Sequence, residues 1–260
     1  MKIIVCIKQV PDTSEVRIDP ATNTLVRQGV PCIINPFDEN AIEEALRLRE
    51  KHGGTVTVLS MGPPQVREAL RDAIAMGADE AILLSDPAFA GADTFATSYT
   101  LSMAVRKIGA FDVLLFGKQA IDGDTAQVGP GVAELLGIPE VAFVRKIEVD
   151  GRSASVERVM EEGYEKVSAV LPAAFTVLKE INVPRLASLK GKLKARKYEA
   201  AVWTSADLGT DRKKTGLNGS PTWVKRIFTP EPRGKTEILQ GDAGEKVKAL
   251  VSRLAAANLV

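Results

Sequence analysis

Asp112–Gly137, DVLLFGKQAIDGDTAQVGPGVAELLG, is the stretch on which the fold turns. An apolar run from Val113 to Phe116 stops at Gly117, and a helix-like pattern resumes near Thr125. Strand, loop and helix in that order make the repeating unit of a parallel sheet with helical crossovers. The loop between them matches neither common phosphate-binding pattern. A Walker loop runs straight into Lys-Ser/Thr at the helix start, whereas Lys118 follows the strand at once. The fingerprint G-x-G-x-x-G is absent too, since Lys118, Gln119 and Ala120 follow Gly117.

What remains is a helix N-terminus near Asp124-Thr125, with Gly123 letting backbone approach a ligand and Gly129 keeping that approach narrow. Unpaired N–H groups there favour a phosphate. Asp122 and Asp124 would repel one, so they are expected to cap the helix or bind hydroxyls. Thr125 and Gln127 donate without adding charge. A well-capped turn holding no ligand is the competing reading, and these residues leave it open. DTFATSYTLS places a cap, Asp93, and the hydroxyls of Thr94, Thr97 and Ser98 at a second helix start. Alone these would be capping or exposed groups. Two hydroxyl-rich helix starts at one sheet edge favour a pocket for adenosine and pyrophosphate.

Working outward, KIIVCIK, TVTVLSMGPP and AILLS read as strands. NPFDENAIEEALRLREKHGG reads as a helix with acids early and bases late, His52 sitting at its surface end. PQVREALRDAIAMGADE aligns Val66, Ala69, Leu70, Ala73 and Ile74 on one face and stops at Gly77. The expected fold is α/β: an open, mainly parallel sheet with helices on both faces. Ligands in such sheets sit beyond the carboxyl ends of the strands, here residues 8–12, 60–64, 85–94 and 117–129. From about Glu140, VAFVRKIEVDG, SASVERVMEEG, YEKVSAVL and PAAFTVLKEI are expected to form an added antiparallel set. The expected nucleotide-binding domain is 1–203. Residues 204–260 are expected to be an extended C-terminal arm whose final helix buries Val247, Leu250, Val251 and Leu254 on another chain.

Bulk properties narrow the function. Formal charge is +1 over 260 residues, which argues against general affinity for nucleic acid or anionic membranes. The N-terminal apolar run, Ile3 to Ile7, is too short for a signal peptide, and no run of about 18 apolar residues occurs. A cytoplasmic chain without stable membrane insertion is expected. Cys6 and Cys32 form no motif and are expected to be buried thiols. With one histidine, a zinc site or Cys-His nucleophile is not expected, and the chemistry is expected to be borrowed from a cofactor.

Seven segments, VCIKQVPD, NPFDENAIEEALRL, SMGP, AMGADEAILL, GKQAIDGDTAQVGP, LPAAFTV and PRLASLKGKLKARK, occur in the order found in the β subunit of electron transfer flavoprotein. The chain resembles that family over essentially its whole length. The resemblance implies an adenine-nucleotide α-hydrolase-like fold and an obligate heterodimer with an α subunit that holds FAD. It implies nucleotide contacts at Cys6, at Asn35, Pro36, Phe37 and Asp38, at Met61, and at Gly117, Lys118, Gln119, Ala120, Ile121, Asp122, Gly123, Asp124, Thr125, Ala126, Gln127 and Val128. Some members hold AMP in this site; others hold a second FAD that exchanges electrons with NADH and bifurcates them to ferredoxin or flavodoxin and to a dehydrogenase. Asp122-Gly123-Asp124-Thr125 departs from the triple aspartate of AMP-type members, so FAD is the expected occupant. Glu161, Glu162 and Tyr164 are expected either beside the isoalloxazine or on an exposed turn. Residues of about 184–197 match the family's partner-recognition loop, which implies dehydrogenase contacts at Leu189, Lys190 and Lys192. The alternatives are an AMP-holding electron carrier and a nucleotide-binding sensor of the universal-stress type.

Overall fold

In the first strand, β1 (Lys2–Cys6), Ile3 and Val5 pack on one side of the sheet while Ile4 and Cys6 pack on the other, all four buried. A strand buried on both faces reads as a continuous apolar run and needs a helical layer on each side. The computed structural model describes residues 1–12, 18–19, 24–25, 31–225 and 237–260, and both layers are present. The chain divides into two compact units, Met1–Lys225 and Arg226–Val260.

After β1 come β2 (Gln9–Pro11), the short pair β3 (Ile18–Asp19) and β4 (Thr24–Leu25), and β5 (Cys32–Ile34), which pairs antiparallel with β2. The alternation then runs α1 (Pro36–His52), β6 (Thr55–Met61), α2 (Arg67–Met76), β7 (Glu80–Leu84), α3 (Thr94–Ile108), β8 (Val113–Gly117) and α4 (Val128–Leu136). A run of strands follows, β9 (Glu140–Asp150), β10 (Ser153–Met160), β11 (Gly163–Val170) and β12 (Ala173–Val177), and then α5 (Leu189–Arg196), β13 (Ala201–Trp203) and α6 (Ser205–Leu208). Among the described residues a nine-stranded sheet has the order β11-β10-β9-β12-β8-β1-β6-β7-β13.

Local chemistry sets the elements. Pro36 in the first turn of α1 needs no hydrogen-bond partner there, Asp38 and Glu39 follow it, and Arg49, Lys51 and His52 close the helix. The stripe on α2 lies buried as its spacing requires, and Gly77 ends the helix at φ 132°. Helices α1, α2 and α5 share one core, which takes in Ile3, Val5 and Phe175. Helices α3, α4 and α6 share the other, which takes in Ile4, Cys6 and Ala174. The winding therefore reverses between β1 and β8, and a crevice opens at their carboxyl ends.

Three parts of the chain fold differently from the expectation. β9, β10 and β11 form an antiparallel meander, but β12 leaves it and lies parallel between β8 and β9. All five β12 residues are buried, the signature of a central strand rather than a half-exposed one. The recognition segment contains a helix, α5, capped by Ser188, whose hydroxyl accepts the Gly191 N–H at 3.0 Å. The first compact unit also continues past Trp203 to Lys225. Cys6 is buried as expected, whereas Cys32 is exposed because β5 lies in the small ribbon with β2, outside the main sheet.

In the second unit, α7 (Ala243–Ala256) begins with a capping box between Asp242 and Glu245. Arg253 forks onto Glu237 at 2.6 and 2.7 Å, and Val247, Leu250 and Val251 are exposed. No helix of the described residues is long and apolar enough to cross a membrane.

Candidate functional site

Asn35 and Asp38 sit at the start of α1, and their buried side chains hold the loop after β8 and the carboxyl ends of β1 and β8 respectively. Asn35 Nδ2 donates to the Gln119 carbonyl at 2.9 Å, and its Oδ1 accepts the Ile121 N–H at 3.1 Å. Asp38 accepts the Lys8 N–H at 2.7 Å and the Gly117 N–H at 3.1 Å. Burial pushes its carboxyl from 3.8 up to about 7, against the pull of those donors and the Lys8 charge. Burial, helped by the Asp38 charge, also pushes the Cys6 thiol far above its ordinary value, which makes it inert.

The loop itself is bent in an unusual way. Asp124 and Ala126 both take φ 54°, the left-handed region that residues with a Cβ avoid. Ala126 is followed by Gln127 in the right-handed region, and such a succession curves the backbone into an N–H-lined concavity suited to anions. These conformations delay the helix, so α4 begins at Val128 rather than near Thr125. Neither aspartate caps it. Asp122 pairs with Lys8 Nζ at 2.6 and 2.8 Å, while Asp124 accepts from Gln119 Nε2. The first turn of α4 lies tight against the sheet: a Cβ on Gly129 would sit 2.6 Å from Thr176 Cγ2.

Across the crevice, Asp93 caps α3 as expected, with Oδ1 accepting the N–H groups of Phe95 and Ala96 at 3.0 Å. Its Oδ2 accepts the Thr222 N–H at 3.0 Å and hydroxyl at 2.7 Å, and its own N–H donates to Ser220 Oγ at 2.8 Å. Burial works to raise the Asp93 carboxyl, but the donors of Ala96, Thr222 and Phe95 bring it below the usual range. Thr94 Oγ1 donates to Gln127 Oε1 at 2.9 Å and joins this helix start to the loop.

Together these segments line a partly open cleft of about 1920 Å³. Of the expected contacts, Cys6, Pro36, Asp38, Met61, Asp93, Thr94, Thr97 and residues 117–123 and 125–128 line it. Asn35, Phe37 and Asp124 do not. Asn35 is spent holding the loop, Lys179 lies over the Phe37 ring at 4.9 Å, and Asp124 is engaged by Gln119. Glu161 and Glu162 form the β10–β11 turn, three strands from β8 and outside the cleft wall, and Arg145 stacks on Tyr164 at 3.8 Å. Gln65 and Glu68, beyond the Pro63-Pro64 turn, line the cleft without having been anticipated; no local motif marks them.

The wall holds hydroxyls, backbone donors, acids and the cations Lys8 and Lys118, a set able to bind a polar ligand. No group of three or more metal-ligating side chains occurs among the described residues. Leu189, Lys190 and Lys192 lie apart from the cleft on α5, with Leu189 75% exposed. That segment is pinned by Arg185, whose guanidinium reaches Glu43 at 2.7 Å and Glu50 at 2.5 Å, and by Asn182, which donates to Glu44 at 3.0 Å.

Residues 22–208 match the family described as Electron transfer flavoprotein domain. The chain is 54% identical to the electron transfer flavoprotein subunit beta of Thermoanaerobacterium thermosaccharolyticum, covering 100% of both chains. It is 48% identical to the Caffeyl-CoA reductase-Etf complex subunit CarD of Acetobacterium woodii, again over 100% of both. Its identity to protein FixA of Azorhizobium caulinodans is 51%, over 90% of this chain and 86% of that one.

Proposed function

The chain belongs to the electron transfer flavoprotein family as a β subunit, and from that premise we propose that its cleft holds an FAD. With an α subunit carrying a second FAD, it takes electrons from NADH and bifurcates them. One goes to ferredoxin or flavodoxin, the other through the α-subunit flavin to a dehydrogenase of the acyl-CoA type. Bound in the cleft, the flavin would supply hydride acceptance and release of single electrons.

The observation that carries the FAD reading is room: about 1920 Å³, against roughly 300–1,000 Å³ for ordinary small-ligand pockets. A mononucleotide would leave much of it unfilled. The residues divide the task among them. The N–H groups around Ala126 to Val128 take a diphosphate, and Thr97 offers a hydroxyl beside it, while Thr94 steadies Gln127. Asn35 and Asp38 keep the loop in place, and α5 presents Leu189 among cations to the dehydrogenase. The relative whose name includes caffeyl-CoA reductase supports a partner that acts on an acyl-CoA.

Denaturing the purified heterodimer and quantifying what it releases tests this. Flavin from both subunits and no AMP is the expected result, followed by flavin bleaching on anaerobic titration with NADH. AMP in stoichiometric amount with a single flavin overturns the FAD assignment.

A further inference from the structure

We propose that Lys8 is a further ligand-binding residue, whose charge allows a nucleotide diphosphate to lie beside Asp122; this rests on the nucleotide reading of the cleft. Its backbone is fixed on both sides. The Lys8 N–H donates to Asp38 Oδ2 at 2.7 Å, and its carbonyl accepts the Asn35 N–H at 2.9 Å. Only the side chain is left to adapt. Its Nζ meets both oxygens of Asp122, a residue 114 positions away, with the lysine side chain 49% exposed and the aspartate 24%.

An ammonium carries three donors, and Asp122 takes two. Among the described residues the third has no protein acceptor, and Lys8 lines the cleft. The need for a cation is visible in the wall, where Asp12, Asp38, Glu68, Asp86, Asp93 and Asp122 outnumber Lys8 and Lys118. An anion entering beside Asp122 meets repulsion unless that carboxylate is neutralised. Lys8 neutralises it and offers its remaining donor to the same ligand. The Lys8–Asp122 pair is therefore a charge setting for the cleft as well as a clasp on the loop.

Titration calorimetry on the full-length chain, freed of nucleotide, with ADP and with adenosine separates these roles. Lys8→Gln is expected to weaken ADP by about tenfold or more, the loss of one charged hydrogen bond, while adenosine binding stays within twofold. Asp122→Asn is expected to tighten ADP and leave adenosine unchanged, and Lys8→Arg to restore ADP binding. Thermal midpoints of all variants verify folding. Equal weakening of ADP and adenosine by Lys8→Gln, or no change in either, overturns the proposal and leaves a mechanical clasp. A parent chain that binds neither ligand overturns the nucleotide reading and this proposal with it, whereas a parent that binds both isolates the role of Lys8.

Discussion

Asp38 accepts the backbone N–H of Gly117 at 3.1 Å with a carboxyl that the fold has withdrawn from water. The bond joins the first turn of α1 to the end of β8 and is held at an electrostatic cost. Below pH 3.8 the folded and unfolded chains both keep the Asp38 proton. Between 3.8 and about 7 the unfolded chain releases it while the folded chain retains it. The folded state binds more protons there, so this residue's contribution to stability falls as pH rises through that window, by on the order of 4 kcal/mol in all. Asp38→Asn removes the slope. Thermal midpoints measured from pH 4 to 8 should show the difference between variant and parent shifting in the variant's favour as pH rises; parallel curves would refute it.

Left-handed backbone at Ala126 is strain without a glycine to relieve it. Ala126→Gly is expected to raise stability by about 1 kcal/mol and to weaken nucleotide binding, because the concavity before α4 is then no longer held in one shape. Denaturant titration reads the first effect and calorimetry the second.

For the proposed dehydrogenase contact, Leu189→Ala removes an exposed side chain, so the melting temperature should not move. The KM for the dehydrogenase should rise by about 30-fold, the cost of losing an apolar anchor, with flavin content and NADH oxidation unchanged. Steady-state kinetics with each acceptor distinguishes the two.

Gly191 is where α5 presses against α2, and a Cβ there would lie 2.1 Å from the Ala75 carbonyl oxygen. Gly191→Ala should destabilise the chain by roughly 1–3 kcal/mol or lift α5 away. Hydrogen exchange across residues 189–196 would register the loss of packing.

Much of the sheet was legible because β1, β7 and β8 carry unbroken apolar runs and β6 a β-branched run, TVTV, before the Gly62-Pro63 turn. The strand-end rule then located the cleft without any motif, and residues 8–12, 60–64, 85–94 and 117–129 contribute most of its wall. The placement of β12 was not legible, since neighbours along the chain suggest hairpins and only burial on both faces marks a central strand. The late start of α4 depends on Asp124 and Ala126 taking a conformation that neither residue type advertises. The fold-back of residues 211–222 rests on Asp93 meeting Ser220 and Thr222, a contact that a polar, glycine-rich composition conceals. The link between Lys8 and Asp122 is equally invisible, because the two meet only once β1 and β8 are side by side.

The position of β12 has a consequence for how the molecule is made. Translation delivers β9 first, yet its seat in the sheet is against β12, which emerges only after the whole β10–β11 excursion. The nascent protein must therefore park that meander, or leave a slot beside β8, until the later segment arrives to fill it. Assembly order and order of synthesis are uncoupled at this one seam, which makes it the natural place for a slow, non-local step in acquiring the native state.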